Sequence, residues 1–93
     1  MKKDLMDILA CPICKNPDLE LHIFEEEEEI ESGLIVCMKC FRYYPIRGSI
    51  PIMLPDDLRR KEEDVKFLKT FIQKIPQIIV QEGKPFKLNH EDV

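Results

Sequence analysis

The sequence has no tryptophan and only three glycines, Gly33, Gly48 and Gly83, too scattered to form a glycine-rich loop around a phosphate. No apolar run approaches the ~20 residues of a membrane-crossing helix, so no membrane partner is expected. Positive charge is not in excess: 14 Lys and Arg stand against 18 Asp and Glu, a net charge of −4. A domain that binds nucleic acid by itself leans on surplus Lys and Arg to neutralise phosphates. Arg42, Arg47, Arg59, Arg60 and Lys61 are candidates for a local basic patch, but Glu62, Glu63 and Asp64 follow directly. No serine, lysine or cysteine is set beside a paired base as a nucleophile, and His22 and His90 stand alone. These absences point away from an enzyme and towards a scaffold or partner subunit.

Four cysteines are present, in two pairs: Cys11-Pro12-Ile13-Cys14 and Cys37-Met38-Lys39-Cys40. Twenty-two residues separate the pairs, a little more than most zinc ribbons have, and a long hairpin would absorb the excess. Two Cys-x-x-Cys knuckles supply four thiolates to one tetrahedral zinc ion, which then has no open position and serves the fold rather than chemistry. Disulfides require an oxidising compartment, whereas Met1 is followed by Lys2, Lys3 and Asp4 and no apolar signal segment. Reduced cysteines and a cytoplasmic location are therefore expected. A thioredoxin-like redox pair would need one Cys-x-x-Cys beside a βαβ unit, and that pattern is missing. Iron of the rubredoxin kind uses the same ligands, but its knuckles favour glycine where Lys15 and Phe41 stand here, so zinc is the expected ion.

Residues 4–9 suit one or two helical turns, with Asp4 as N-cap and Leu5, Ile8 and Leu9 on one face. Leu19, Leu21 and Ile23 alternate with Glu20, His22 and Phe24, the pattern of a half-buried strand. The run Glu25–Glu29 marks a solvated hairpin tip. The chain returns through Leu34-Ile35-Val36 to the second knuckle, and residues 41–46 read as a further strand before a turn at Arg47-Gly48-Ser49.

Ile50-Pro51-Ile52-Met53-Leu54-Pro55 follows. Both prolines lack an N–H and share one edge, so a strand here pairs fully on its other edge only. Ile50, Ile52 and Leu54 lie on one face and Pro51 and Met53 on the other. A small ribbon covers one such face; the second needs the C-terminal helix or another protein. From Asp56 or Asp57 a helix is expected, with a stripe of Leu58, Val65, Leu68, Ile72 and Ile75 widened by Phe67 and Phe71. It should stop or kink before Pro76, which opens a second turn through Ile78, Ile79 and Val80, closed near Gly83. The reading is a small α+β protein: a zinc-ribbon-like antiparallel sheet over residues 1–55 with a short N-terminal helix, a helical appendage packed on it over 56–83, and a polar tail over 84–93.

Leu-Met-Asp-Ile-Leu-Ala-Cys-Pro-Ile-Cys-Lys, Gly-Leu-Ile-Val-Cys-Met-Lys-Cys, Tyr-Tyr-Pro-Ile and Ile-Pro-Ile-Met-Leu together resemble the multifunctional methyltransferase subunit family, over residues 4–55. Four retained cysteines, no room for the eukaryotic helical insertion, and a helical tail resemble its archaeal branch. The resemblance implies a non-catalytic, zinc-binding activator of S-adenosylmethionine-dependent methyltransferases that modify tRNA, ribosomal RNA or a translation release factor. It implies one zinc on Cys11, Cys14, Cys37 and Cys40, and several alternative catalytic partners. Docking would add the strand Ile50, Pro51, Ile52, Met53 and Leu54 to the partner's Rossmann-like sheet, flanked by Leu5, Ile8 and Leu9. RNA would be met only through the partner. The alternative from the residues is a nucleic-acid-binding zinc ribbon of transcription or translation machinery.

Overall fold

The computed structural model describes residues 1–84 and residue 86. Four antiparallel strands form a meander in the order β1-β2-β3-β4: β1 Leu19–Glu26, β2 Ile30–Cys37, β3 Tyr43–Arg47 and β4 Ile50–Pro51. A 3-10 helix over Lys3–Asp7 precedes the sheet; a 3-10 turn over Asp56–Leu58, then α1 (Lys61–Thr70) and α2 (Gln77–Glu82), follow it. The small α+β architecture read from the sequence is the one that forms.

β2 carries the logic of the fold. Leu34, Ile35, Val36 and Cys37 are all buried, which an antiparallel strand permits only when both faces of its sheet are covered. On one face Phe24, Leu34, Val36 and Tyr43 meet Val65, Phe67, Leu68, Ile75 and Ile79 of the helical segment. On the other, Met1, Cys11, Ile30, Ile35, Cys37, Tyr44 and Ile46 pack together, joined by Leu5, Met6, Leu9 and Met53. Of the exposed glutamate run, Glu25 and Glu26 end β1 and Glu27–Glu29 form the tip of the β1–β2 hairpin. Gly48 and Ser49 turn β3 into β4 with both φ angles positive, 54° and 68°, the tight-hairpin geometry that matches the strands' twist.

Several local expectations are corrected. Asp4 does not cap the N-terminal helix: Lys2 holds that position and Asp4 lies in the first turn. The helix is 3-10 and ends at Asp7; Leu5, Met6 and Leu9 pack on the cysteine-side core, and Ile8, just past the helix end, is 78% exposed. Phe24 is not on a polar face: it stacks with Phe71 (ring centroids 4.8 Å apart) and Phe67 (6.0 Å). That face of β1 is polar only at the knuckle end, where α1 does not reach it. β4 is two residues long rather than five, with one further ladder bond from the Ile52 N–H to the Pro45 carbonyl (2.9 Å).

The expected helix from Asp56 is broken. Arg59 (φ −85°, ψ 148°) and Arg60 (φ −112°, ψ 119°) are extended, so α1 starts at Lys61 and Leu58 falls out of the stripe, 59% exposed. The reason is Arg59, which is buried rather than part of a basic patch. Its Nη1 donates to the Tyr43 carbonyl (2.9 Å), its guanidinium lies 5.2 Å and 5.4 Å from the Tyr43 and Tyr44 ring centres, and its Nη2 stands 2.9 Å from the Asp64 carboxylate. α1 ends at Thr70, before the stop expected at Ile75, while Pro76 precedes α2 and Gly83 closes it as expected. Where a polar tail was expected to start, Lys84 bridges Arg42 in parallel and the Phe86 carbonyl accepts the Tyr43 hydroxyl. Residues 87–93, His90 among them, lie outside the described residues.

Candidate metal centre and docking strand

Each cysteine pair makes the same turn. Lys15 N–H donates to the Cys11 carbonyl (2.9 Å) and Cys11 N–H to the Asn16 carbonyl (2.9 Å); Phe41 N–H donates to Cys37 (2.8 Å) and Cys37 N–H to Arg42 (2.9 Å). The chain reverses through Lys15 (φ 65°) and Phe41 (φ 62°), left-handed conformations that cost a side-chain-bearing residue about 1–2 kcal/mol. Glycine would be the easy choice at both. The knuckles form without it, so its absence does not separate zinc from iron as the sequence suggested.

The four sulfurs lie within 4.8 Å of one another, with Cys14 to Cys37 at 3.4 Å and Cys11 to Cys40 at 3.7 Å. Tetrahedral zinc with bonds of about 2.3 Å separates its thiolates by about 3.8 Å, so the cluster fits such an ion. The thiols differ in how readily they ionise. Burial works to raise Cys37, but the Asn16 amide and the backbone N–H groups of Cys40 and Lys39 outweigh it and hold the thiol down at about 6. Cys14 goes the other way: the Asn16 backbone N–H favours its thiolate, yet burial and the neighbouring sulfurs push it up to about 12. A positive ion between the sulfurs would favour the thiolate form of all four.

Groups around the sulfurs complete the site. The buried Tyr44 hydroxyl stands 3.1 Å from Cys11 Sγ; burial and the adjacent thiolate keep the phenol protonated well above its usual range, so it is the donor. Asn16 Nδ2 lies 3.5 Å from Cys37 Sγ. Such partners orient thiolates and moderate their charge. Neither Tyr44 nor Asn16 stands out as a site residue in the sequence: Tyr44 enters only as part of Tyr-Tyr-Pro-Ile, and Asn16 leaves no signal but its position two residues after Cys14.

The residues singled out for partner binding are distributed unevenly. Ile50 and Leu54 are exposed, at 62% and 39%, while Pro51, Ile52 and Met53 are half-buried and Met53 packs on the cysteine-side core. Leu5 and Leu9 pack on that core too, and Ile8 stands out in solvent. Backbone alternation gives a further correction. Ile52 donates inward to β3, so the edge that keeps its donors is already used, and the outer edge is the one holding Pro51 and Pro55. That outer edge offers the Met53 N–H and the carbonyls of Pro51 and Met53. Three of the four arginines of the candidate patch are paired: Arg42 with Asp56 (2.7 Å), Arg47 with Glu63 (3.6 Å) and Arg59 with Asp64 (2.9 Å).

Comparison with known proteins matches residues 2–49 to the family described as Trm112p-like protein. The chain is 41% identical over 68 residues to the UPF0434 protein of Methylobacillus flagellatus, covering 71% of this chain and 100% of that one. With the UPF0434 protein of Dechloromonas aromatica it shares 44% over 64 residues, covering 69% and 97%. Among solved structures, the Haloferax volcanii Trm112 methyltransferase activator, in complex with a protein assigned as a methyltransferase, is 42% identical with a TM-score of 0.59, covering 63% of this chain and 100% of that one. On profile, identity and fold alike, the chain belongs to the Trm112p-like family.

Proposed function

We propose that this chain is a non-catalytic subunit that stabilises and activates S-adenosylmethionine-dependent methyltransferases acting on tRNA, ribosomal RNA or a translation release factor. One zinc ion on Cys11, Cys14, Cys37 and Cys40 holds its fold, in the reducing cytoplasm. Its four cysteines and its helical segment favour the archaeal type of the family. The observation that carries the reading is the terminal strand: Ile50 and Leu54 are exposed beside an outer edge that no described residue covers. A partner sheet that adds a strand there gains main-chain bonds to the Pro51 and Met53 carbonyls and covers both side chains. Main-chain pairing is nearly indifferent to sequence, which suits several alternative partners. The solved relative in a methyltransferase complex supports the class of partner.

Direct nucleic-acid binding is disfavoured further by the ion pairs. Three of the arginines that sequence offered for phosphate are already neutralised by carboxylates within the chain. The test is gentle purification of the tagged chain from its own cell with mass spectrometry of what accompanies it and metal analysis of the product. Expected are one or more methyltransferases near a one-to-one ratio and one zinc per chain. Ribosomal or polymerase components without a methyltransferase would overturn the reading. Ile50→Asp should then weaken that complex at least ~100-fold without unfolding the chain, because a carboxylate is desolvated at the contact. The exposed Ile50 is a cleaner site for this than Met53, whose replacement also disturbs the core.

A further inference from the structure

The segment proposed to dock is fastened at its two ends by different means. At its start, Ile50 and Pro51 pair with Arg47 and Ile46, and Ile52 donates to Pro45. Beyond Ile52, no backbone donor bond holds Met53 or Leu54 among the described residues. Met53 packs on the cysteine-side core through its side chain, and the next polar anchor is Asp56. Its two carboxylate oxygens accept from Arg42 Nε (2.9 Å) and Nη2 (2.7 Å), a bidentate fork with the Arg42 side chain only 18% exposed. Two parallel charge-assisted bonds fix direction as well as distance, which a single bond or a lysine cannot do.

The other end of Arg42 belongs to the metal centre. Its carbonyl accepts the Cys37 N–H and so closes the second knuckle. It directly follows Phe41, whose left-handed backbone (φ 62°) is part of the closed knuckle. One residue thus joins the cysteine turn to the far end of the segment over Met53, Leu54 and Pro55. The charge state fits this role: Arg42 holds the Asp56 carboxyl below its usual range.

We infer that Arg42 is a positioning residue, which presents Ile52–Leu54 for docking by clamping Asp56 to the closed second cysteine knuckle. The inference rests on the docking reading above and adds to it a link from metal centre to docking strand. It also assigns Asp56 a task other than capping a helix.

The test compares Arg42→Gln, Arg42→Lys and Asp56→Asn in the zinc-loaded full chain. Metal content and circular dichroism should stay as in the parent. Amide exchange at Ile52 should rise about tenfold in Arg42→Gln and Asp56→Asn, with larger backbone motion at Met53 and Leu54 by nitrogen relaxation. Arg42→Lys should behave like Arg42→Gln, since it keeps charge and loses the fork. Affinity for the co-purifying methyltransferase should fall about tenfold, and the double variant should be no worse than either single one. Unchanged exchange and relaxation in Asp56→Asn, or an effect confined to Arg42 variants, overturns the clamp. These readouts need no partner, so failure of the clamp shows in the free chain. Failure of the docking reading shows instead as undiminished binding by Ile50→Asp with the clamp intact.

Discussion

The two faces of this sheet are held by different physics. The cysteine face gathers Cys11 and Cys37 among Met1, Ile30, Ile35, Tyr44 and Ile46, and its turns include two left-handed backbones that are unfavourable by themselves. The helix face is an ordinary apolar core, with Phe24, Phe67 and Phe71 in mutual contact and Leu68 and Ile79 fully enclosed. One face offers an ion four crowded sulfurs between strained turns; the other is closed by buried carbon. Both grip the same strands, β2 and β3, so neither is independent. The relatives named above lie almost wholly within about 70% of this chain, and the family profile stops at residue 49. The family match, residues 2–49, thus covers all four cysteines and ends before the helical segment begins.

The comparison breaks most sharply if the ion is removed. Structural zinc contributes on the order of 10 kcal/mol in peptide systems, comparable with the whole stability of a small domain. Chelation of the zinc-loaded chain should therefore abolish the ordered near-ultraviolet and amide spectra of both faces together. If the helix face keeps its dispersed methyl signals after the metal is gone, the two layers are separable and the shared-strand argument fails.

A smaller effect tests the other face. Leu68→Ala removes a side chain that is 1% exposed, and a buried Leu→Ala change costs about 3 kcal/mol. The urea midpoint should fall while the metal stoichiometry stays at one. Loss of zinc in parallel with the fall would mean that the helix face also shapes the cysteine turns.

How far the sequence led can be judged residue by residue. The cysteine spacing and the hairpin run legibly from sequence to structure, because metal-ligand spacing and strand alternation are local signals. Gly83 and Pro76 punctuate α2 for the same reason. Arg59 was not legible: within a run of six charges, Arg59 to Asp64, it reads as surface. Only the tertiary arrangement shows that it replaces a strand neighbour at the Tyr43 carbonyl, and that its extended backbone ends the helix early. Phe24 was misassigned for a related reason, since alternation reports faces but not which part of a face a later helix covers. Asn16 carries no motif, and Tyr44 belongs to one that says nothing of sulfur; their roles beside the sulfurs come from where the fold places them.

The least expected contact offers the finest test of the comparison. Arg59 and Asp64 are both buried, yet Arg59 Nε and Nη2 and Asp64 Oδ2 lack well-aligned hydrogen bonds despite the 2.9 Å approach. Desolvation of such a pair can exceed its attraction. Consistent with that, burial, opposed by Arg59, leaves the Asp64 carboxyl above its usual range. Removing one partner should hurt: Asp64→Ala strands a buried guanidinium and costs about 3 kcal/mol, whereas Arg59→Met with Asp64→Leu should be nearly neutral. The pH dependence gives the sign. A raised folded-state pKa means that the native chain binds the proton more readily than the unfolded one. Asp64 therefore makes the protein more stable as pH falls from above its folded value to the unfolded value of about 4. Asp56, held below its usual range by Arg42, contributes in the opposite sense and loses its share at still lower pH. Acid release of metal is common to parent and variant, so the difference in stability between parent and Asp64→Asn isolates Asp64. That difference should move in favour of the parent between pH 7 and pH 4; a shift in favour of the variant would show that the ion pair outweighs burial and that the helix face, too, is held by charge.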